Sequence, residues 1–241
     1  MARNVIVTGG ATGIGRAIAA RFAAEGDAVL ITGRRAQPLR CAAKQLGKRA
    51  RFAVCDCADP RAADELRSEL PDTVNVLVNN AGGNTDFDRS HPEDLGALAA
   101  SWRANLEANL ISAVLMTEIV RDRLTDPAAI ISIGSIGADK GAGAYGAAKA
   151  GLASWNIGLA RALGPRGVTA NVVSPGYVTD TEFFRDKLTS ERRDELIAAT
   201  NTKRPGTPDD IAGTVWFLAS PAARQITGQV LAVNGGEQPT R

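Results

Sequence analysis

Short apolar runs alternate with longer amphipathic ones from one end of this chain to the other, and no other feature limits its possible folds as much. Asn4 to Thr8, Ala28 to Thr32, Arg51 to Cys55, Asn75 to Val78, Ala129 to Ile133, Val168 to Val173 and Gln229 to Val233 are short and rich in β-branched residues, as buried strands are. Between them Ile14 to Glu25, Gln37 to Leu46, Pro60 to Leu70, Pro92 to Leu124, Gly146 to Leu163 and Asp180 to Ser220 read as helical, the last with room for two or three helices. This alternation predicts an α/β fold, a doubly wound, seven-stranded parallel sheet with helices on both faces. Ligands of such sheets sit outside the carboxyl ends of the strands. A length of 241 residues without internal repeat or linker fits a single domain over 1–241.

The first strand-to-helix junction reads Thr8-Gly9-Gly10-Ala11-Thr12-Gly13-Ile14-Gly15. Glycines there let the backbone turn sharply and approach a pyrophosphate, whose charge meets free N–H groups and the positive end of the helix dipole. Gly9, Ala11, Thr12, Gly13, Ile14 and Gly15 are therefore candidate dinucleotide-binding residues.

A second stretch, Gly141 to Gly151, carries Tyr145 and Lys149 four residues apart, on one face if the Ala-rich sequence is helical. A phenol of pKa about 10 exchanges protons poorly at neutral pH. A fixed ammonium beside it would pull that pKa down and make it an acid–base group.

The formal net charge of +2 and the scattered basic residues show no footprint for nucleic acid. No apolar run reaches the ~18 residues that span a bilayer, and the N-terminus has no signal-like apolar segment, so a cytoplasmic location is expected. Cys41, Cys55 and Cys57 form neither a disulfide framework nor a zinc motif. The one histidine, His91, stands before Pro92 in a polar stretch and reads as a loop residue at a helix start, so neither a His-dependent triad nor a metal centre is expected.

These motifs stand in a fixed order. T-G-x-x-x-G-I-G near the start, N-N-A-G at Asn79 to Gly82, a serine ending the fifth strand, Y-x-x-x-K, Pro175-Gly176 and Val233 to Gly236 together resemble the short-chain dehydrogenase/reductase family over nearly the whole chain. The resemblance implies a single-domain Rossmann fold and a hydride transfer between a nicotinamide dinucleotide and a small-molecule carbonyl or secondary alcohol. It implies Asn109, Ser135, Tyr145 and Lys149 as catalytic residues, with Tyr145 moving the proton and Ser135 hydrogen-bonding the substrate oxygen. Lys149 would also hold the nicotinamide ribose, and Asn109 would hold a water in a proton relay; Asn105 looks similar but fits the spacing from Trp102 less well. Asp56 and Cys57 would meet the adenine, Asn80, Ala81 and Gly82 would line the cofactor, and Pro175, Gly176 and Val178 would meet the carboxamide. A further threonine contact falls to Thr179 or Thr181. The family's usual serine-to-tyrosine spacing is the twelve residues between Ser132 and Tyr145, whereas nine separate Ser135 from Tyr145. Ser135 remains the choice, because it ends the strand and an exposed Gly-rich loop can lose three residues.

After the second strand a carboxylate would accept the ribose hydroxyls of NAD. Thr32-Gly33-Arg34-Arg35 stands there instead, and guanidinium groups pair with phosphate, so NADP(H) is the expected cofactor, through Arg34 first and Arg35 second. Thr12 occupies a loop position that is often basic in the family, so a preference is expected rather than strict selection. Residues 180–206 read as a helical substrate flap, with Phe183, Phe184 and Leu188 over the cleft, suited to an apolar or acyl/polyketide-like substrate. Arg185, Lys187, Arg192 and Arg193 are a weak hint of an acidic acyl carrier protein, and a homotetramer is implied by resemblance alone. The rival readings are an NAD-linked alcohol or sugar-alcohol dehydrogenase, and a non-catalytic NADP-binding sensor.

Overall fold

The computed structural model describes residues 2–88 and 92–239; His91 lies outside the described residues. Seven strands form one sheet in the order β3-β2-β1-β4-β5-β6-β7. They are β1 (Asn4–Thr8), β2 (Ala28–Gly33), β3 (Ala50–Val54), β4 (Val74–Asn79), β5 (Leu124–Ile133), β6 (Thr169–Pro175) and β7 (Val230–Val233), all parallel. The order reverses between β1 and β4, which opens a crevice at their carboxyl ends.

Strand alternation divides the core. Val5, Val7 and Ile31 face one side and pack with Ile18, Phe22 and Leu39, which come from α1 (Gly13–Ala24) and α2 (Ala36–Leu46). Ile211 and Val215 of α8 (Pro208–Leu218) complete that layer. Ile6, Leu77 and Ile130 face the other side, against Ala63 of α3 (Pro60–Glu65), Met116 of α5 (Ser112–Val120) and Leu159 of α6 (Gly143–Leu163). Because both faces are covered, the strands read as continuous apolar runs.

Most strand ends shift by one or two residues, β5 begins five residues earlier than expected, and the helical segments differ more. Pro92 to Leu124 is not one helix: α4 (Leu95–Leu106) passes through a π turn at Glu107–Ile111 into α5, and Leu124 already begins β5. Ser112 N–H reaches back to Glu107 O there, one residue beyond the usual helical partner. The third strand starts one residue earlier than expected, at Ala50. The flap is helical only in α7 (Ser190–Ala199), because Asp180 and Arg185 adopt positive φ of 56° and 54° that break a helix. Helix α6 starts at Gly143, three residues before Gly146, and holds both Tyr145 and Lys149.

Candidate active site

The loop joining β1 to α1 is shaped by close backbone approach. Gly9 has φ of +65°, and a Cβ on Gly15 would stand 2.3 Å from Gly9 O and 2.4 Å from Asn80 Nδ2. Asn80 locks the neighbouring strand end: its Nδ2 donates to Thr8 O at 2.9 Å and Gly9 O at 3.1 Å. The backbone N–H groups of Asn80 and Ala81 both donate to Thr8 Oγ1, at 3.0 and 2.9 Å. Thr8 is thus a framework residue the sequence reading missed. Thr12, the residue before α1, makes no side-chain cap, and the first intrahelical bond is Arg16 N–H to Thr12 O. The N–H groups of α1's first turn are therefore left to a ligand, and this bare, close-packed turn fits a pyrophosphate.

The other expected cofactor residues fall around the same crevice. Arg34 and Arg35 follow β2, Asp56 and Cys57 follow β3, Asn80 to Gly82 follow β4, Pro175 ends β6, and Gly176 and Val178 follow it. Arg34 is exposed and makes no side-chain hydrogen bond or ion pair among the described residues, whereas Arg35 pairs with Glu182 of the flap at 2.7 Å. Asp56 is exposed and accepts the Ala58 N–H at 3.1 Å, a turn-forming bond that occupies one of its oxygens. Cys57 is buried, its Sγ 3.5 Å from Thr32 Oγ1. Thr181 rather than Thr179 stands over the glycine loop, its Cγ2 3.4 Å from where a Cβ on Gly13 would lie, while Thr179 N–H donates to Gly206 O.

Ser135, Tyr145 and Lys149 come together at the carboxyl end of β5. Ser135 Oγ accepts the Gly137 N–H at 3.0 Å, which fixes its rotamer, and a Cβ on Gly137 would lie 3.3 Å from that oxygen and 3.2 Å from the Tyr145 ring edge, so the two side chains meet there. Ser132 is fully buried within β5 with its Oγ unpartnered, whereas Ser135 lies beyond the strand's end, near the Tyr145 ring. One turn along α6 the buried Lys149 donates from Nζ to Ile133 O at 2.7 Å, with that nitrogen 5.9 Å from the centre of the Tyr145 ring. Asn109, buried in the π turn, clamps the segment that follows β4: its Oδ1 accepts the Gly83 N–H, and its Nδ2 donates to Gly83 O and to Asn105 O, each at 2.9 Å. Both Nδ2 hydrogens are thereby used, while Oδ1 keeps one lone pair free to accept a further bond. Asn105 is engaged with Asp86 and Thr85.

The depressed tyrosine expected from Y-x-x-x-K is not found. Burial pushes Tyr145 up to about 12, opposed by the nearby Ser135 hydroxyl, and burial lowers Lys149 to about 8. The ammonium is directed at Ile133 O, which leaves the phenol firmly protonated at neutral pH.

The flap lies over the site. Phe183 packs on Tyr145 with ring centres 5.5 Å apart, and Phe87, Phe184 and Tyr177 extend the cluster. Arg185 binds Asp88 through two contacts of 3.0 and 2.8 Å, and Lys187 Nζ donates to Phe87 O. Arg192 and Arg193 pair with Glu195 and Asp194, so the four cations considered for an acidic carrier all have partners within the chain.

A parallel doubly wound sheet with an anion-receptive glycine turn at its switch point, beside a Ser–Tyr–Lys cluster, defines a dinucleotide-dependent oxidoreductase of the Rossmann class. A family model described as enoyl-(acyl carrier protein) reductase matches residues 9–238. The chain is 35% identical over 240 residues to the 3-oxoacyl-(acyl-carrier-protein) reductase FabG of Escherichia coli K12, covering 96% of this chain and 95% of that protein. A short-chain dehydrogenase/reductase from Brucella melitensis superposes with a TM-score of 0.88 at 30% identity, over 99% of this chain and 97% of that one. A short chain dehydrogenase from Burkholderia cenocepacia J2315, solved in complex with NADP, superposes with a TM-score of 0.84 at 32% identity, over 98% and 97% of the two chains. The chain belongs to the short-chain dehydrogenase/reductase family and is a ketoreductase-like oxidoreductase within it.

Proposed function

We propose that this chain is an NADP(H)-preferring ketoreductase whose substrate is an apolar or acyl/polyketide-like carbonyl compound. The observation that carries this reading is the meeting of Ser135 and the Tyr145 ring around Gly137, near a buried Lys149 and with the open first turn of α1 at the same sheet edge. When bound, the nicotinamide would supply the hydride. As negative charge grows on the carbonyl oxygen, donors already aimed at it lower the barrier. Tyr145, held protonated by burial, gives that oxygen its proton, and Ser135, fixed by the Gly137 N–H, donates a second hydrogen bond. Lys149, anchored on Ile133 O, keeps two N–H donors for the ribose hydroxyls and supplies positive charge below its lowered pKa of about 8. Asn109 holds the Gly83 segment against the cofactor side of the cleft.

Arg34 is the 2′-phosphate anchor, since Arg35 is taken by Glu182, and Thr181 closes over the pyrophosphate. Residues 180–206 serve as the substrate flap of a one-domain enzyme, with the phenyl rings of Phe183 and Phe184 forming the apolar wall. Leu98, Trp102 and Ile111 along α4 and the π turn, and Ile157 on α6, are exposed, which supports association of these helices into a homotetramer. No helix among the described residues is long and apolar enough to cross a membrane, and three free thiols suit the reducing cytoplasm.

The test is the initial rate of NADPH oxidation, with NADH in parallel, over an acyl-thioester ketone, a bicyclic aromatic ketone and a keto-sugar. Turnover at least about tenfold faster with NADPH, and a gap narrowed by Arg34→Ala, is expected from loss of one charge-assisted phosphate contact. Faster turnover with NADH, or none on any ketone, contradicts the reading.

A further inference from the structure

A carboxylate stands at the cleft with half of its hydrogen-bonding capacity unused. The Glu237 side chain is 3% exposed, and its Oε1 is paired with Lys140 Nζ. Its Oε2 is buried and has no hydrogen-bond partner among the described residues. An unmade bond at a buried carboxylate oxygen is costly, so the group calls for a donor that the chain itself does not provide.

Its neighbours locate it. Lys140 lies in the short loop between Ser135 and Tyr145, where Gly137 is in contact range of both catalytic side chains. On the other side, a Cβ on Gly176 would lie 3.2 Å from Glu237 Oε2, and Gly176 begins the segment that runs through Tyr177 into the flap. The backbone around Glu237 is pinned: Glu237 N–H donates to Asn234 O at 3.2 Å, Asn234 Nδ2 donates to Gln238 O at 2.8 Å, and Asn201 Nδ2 donates to Gly236 O at 3.0 Å. Glu237 is thus held rigidly at the carboxyl ends of β5, β6 and β7, where ligands of such sheets bind. The phenyl rings of the flap give the cleft an apolar wall, and the Lys140–Glu237 pair lies between the loop after Ser135 and Gly176.

We infer that Glu237 is a specificity-determining residue whose Oε2 accepts a hydrogen bond from a neutral donor, a hydroxyl or an amide N–H, on the carbonyl substrate. This rests on the ketoreductase reading above. Lys140 already balances the charge of the carboxylate, so a neutral donor fits better than an ammonium, and a substrate carboxylate would be repelled. The substrate class is therefore a ketone carrying both an apolar body and a hydroxyl or amide group.

The test compares a plain bicyclic ketone with its ring-hydroxylated and amide-bearing analogues, using NADPH and the wild type, Glu237→Met and Glu237→Gln. The readout is the ratio of kcat/KM for donor-bearing to plain ketone within each protein, so a general loss of activity cancels. The wild type should favour at least one donor-bearing analogue by about tenfold, the factor one hydrogen bond to a charged acceptor supports. Glu237→Met should bring the ratio close to one, chiefly through KM, and the near-isosteric Glu237→Gln should also lower it, which keeps the test valid if the Met variant folds poorly. A wild type that reduces every ketone without preference, or a preference retained in both variants, overturns the inference alone. Absence of turnover on all ketones by the wild type overturns the ketoreductase reading and the inference with it.

Discussion

The two sides of the crevice are held by different kinds of force. On the cofactor side, Gly9, Gly15, Thr8 and Asn80 meet through backbone and short side chains, and the space left for one methyl group is nil. On the substrate side, the segment from Thr181 to Leu188 has no regular structure and is fastened by the exposed pairs Arg185–Asp88 and Arg35–Glu182 and by ring contacts. Close packing tolerates no change of volume, while exposed ion pairs contribute little and are screened by salt. The glycine turn proposed to hold the cofactor is close-packed, and the segment proposed as the substrate flap is held by weaker contacts.

Substitutions on the two sides should therefore differ sharply. Gly15→Ala forces a methyl group to 2.3 Å from Gly9 O and is expected to lower stability by about 2–3 kcal/mol and to abolish tight NADPH binding, measured by denaturant unfolding and cofactor titration. Arg185→Ala should cost under about 1 kcal/mol and act mainly on KM for the ketone. Equal losses in the two variants would break the distinction.

Between these extremes lies Lys149, which belongs to both sides. Its folded pKa of about 8 is below the ordinary 10.5, so between those values the unfolded lysine binds a proton that the folded one does not, and stability rises with pH. From pH 8 to 10 the wild type should gain on Lys149→Met by about 2 kcal/mol in unfolding free energy. A difference that stays flat over that range would mean the ammonium is not desolvated.

The contrast also explains what the sequence shows and what it hides. All seven strands, the glycine turn and the pairing of Tyr145 with Lys149 are local patterns, and they were legible because strand length, glycine spacing and helical period are written in adjacent residues. The π turn that splits Pro92 to Leu124 was not legible, since Glu107–Ile111 holds no glycine or proline to mark a break in a helical stretch. Nor was the grip of Asp88 on Arg185 or of Glu237 on Lys140, each spanning 97 positions with no local signal. The acidity of Tyr145 was misread for a related reason: spacing brings the ammonium near the phenol, but burial and the Ile133 carbonyl decide how much of its charge the phenol feels.

The most direct measurement is the NADPH-dependent reduction of the best ketone by Tyr145→Phe, together with the affinity of that variant for NADPH. The account predicts a loss of about 10³-fold in turnover, within the range for removing a positioned general acid, with NADPH affinity changed by less than about threefold. Undiminished turnover in the variant would contradict the role given to Tyr145 and the proton path built on it.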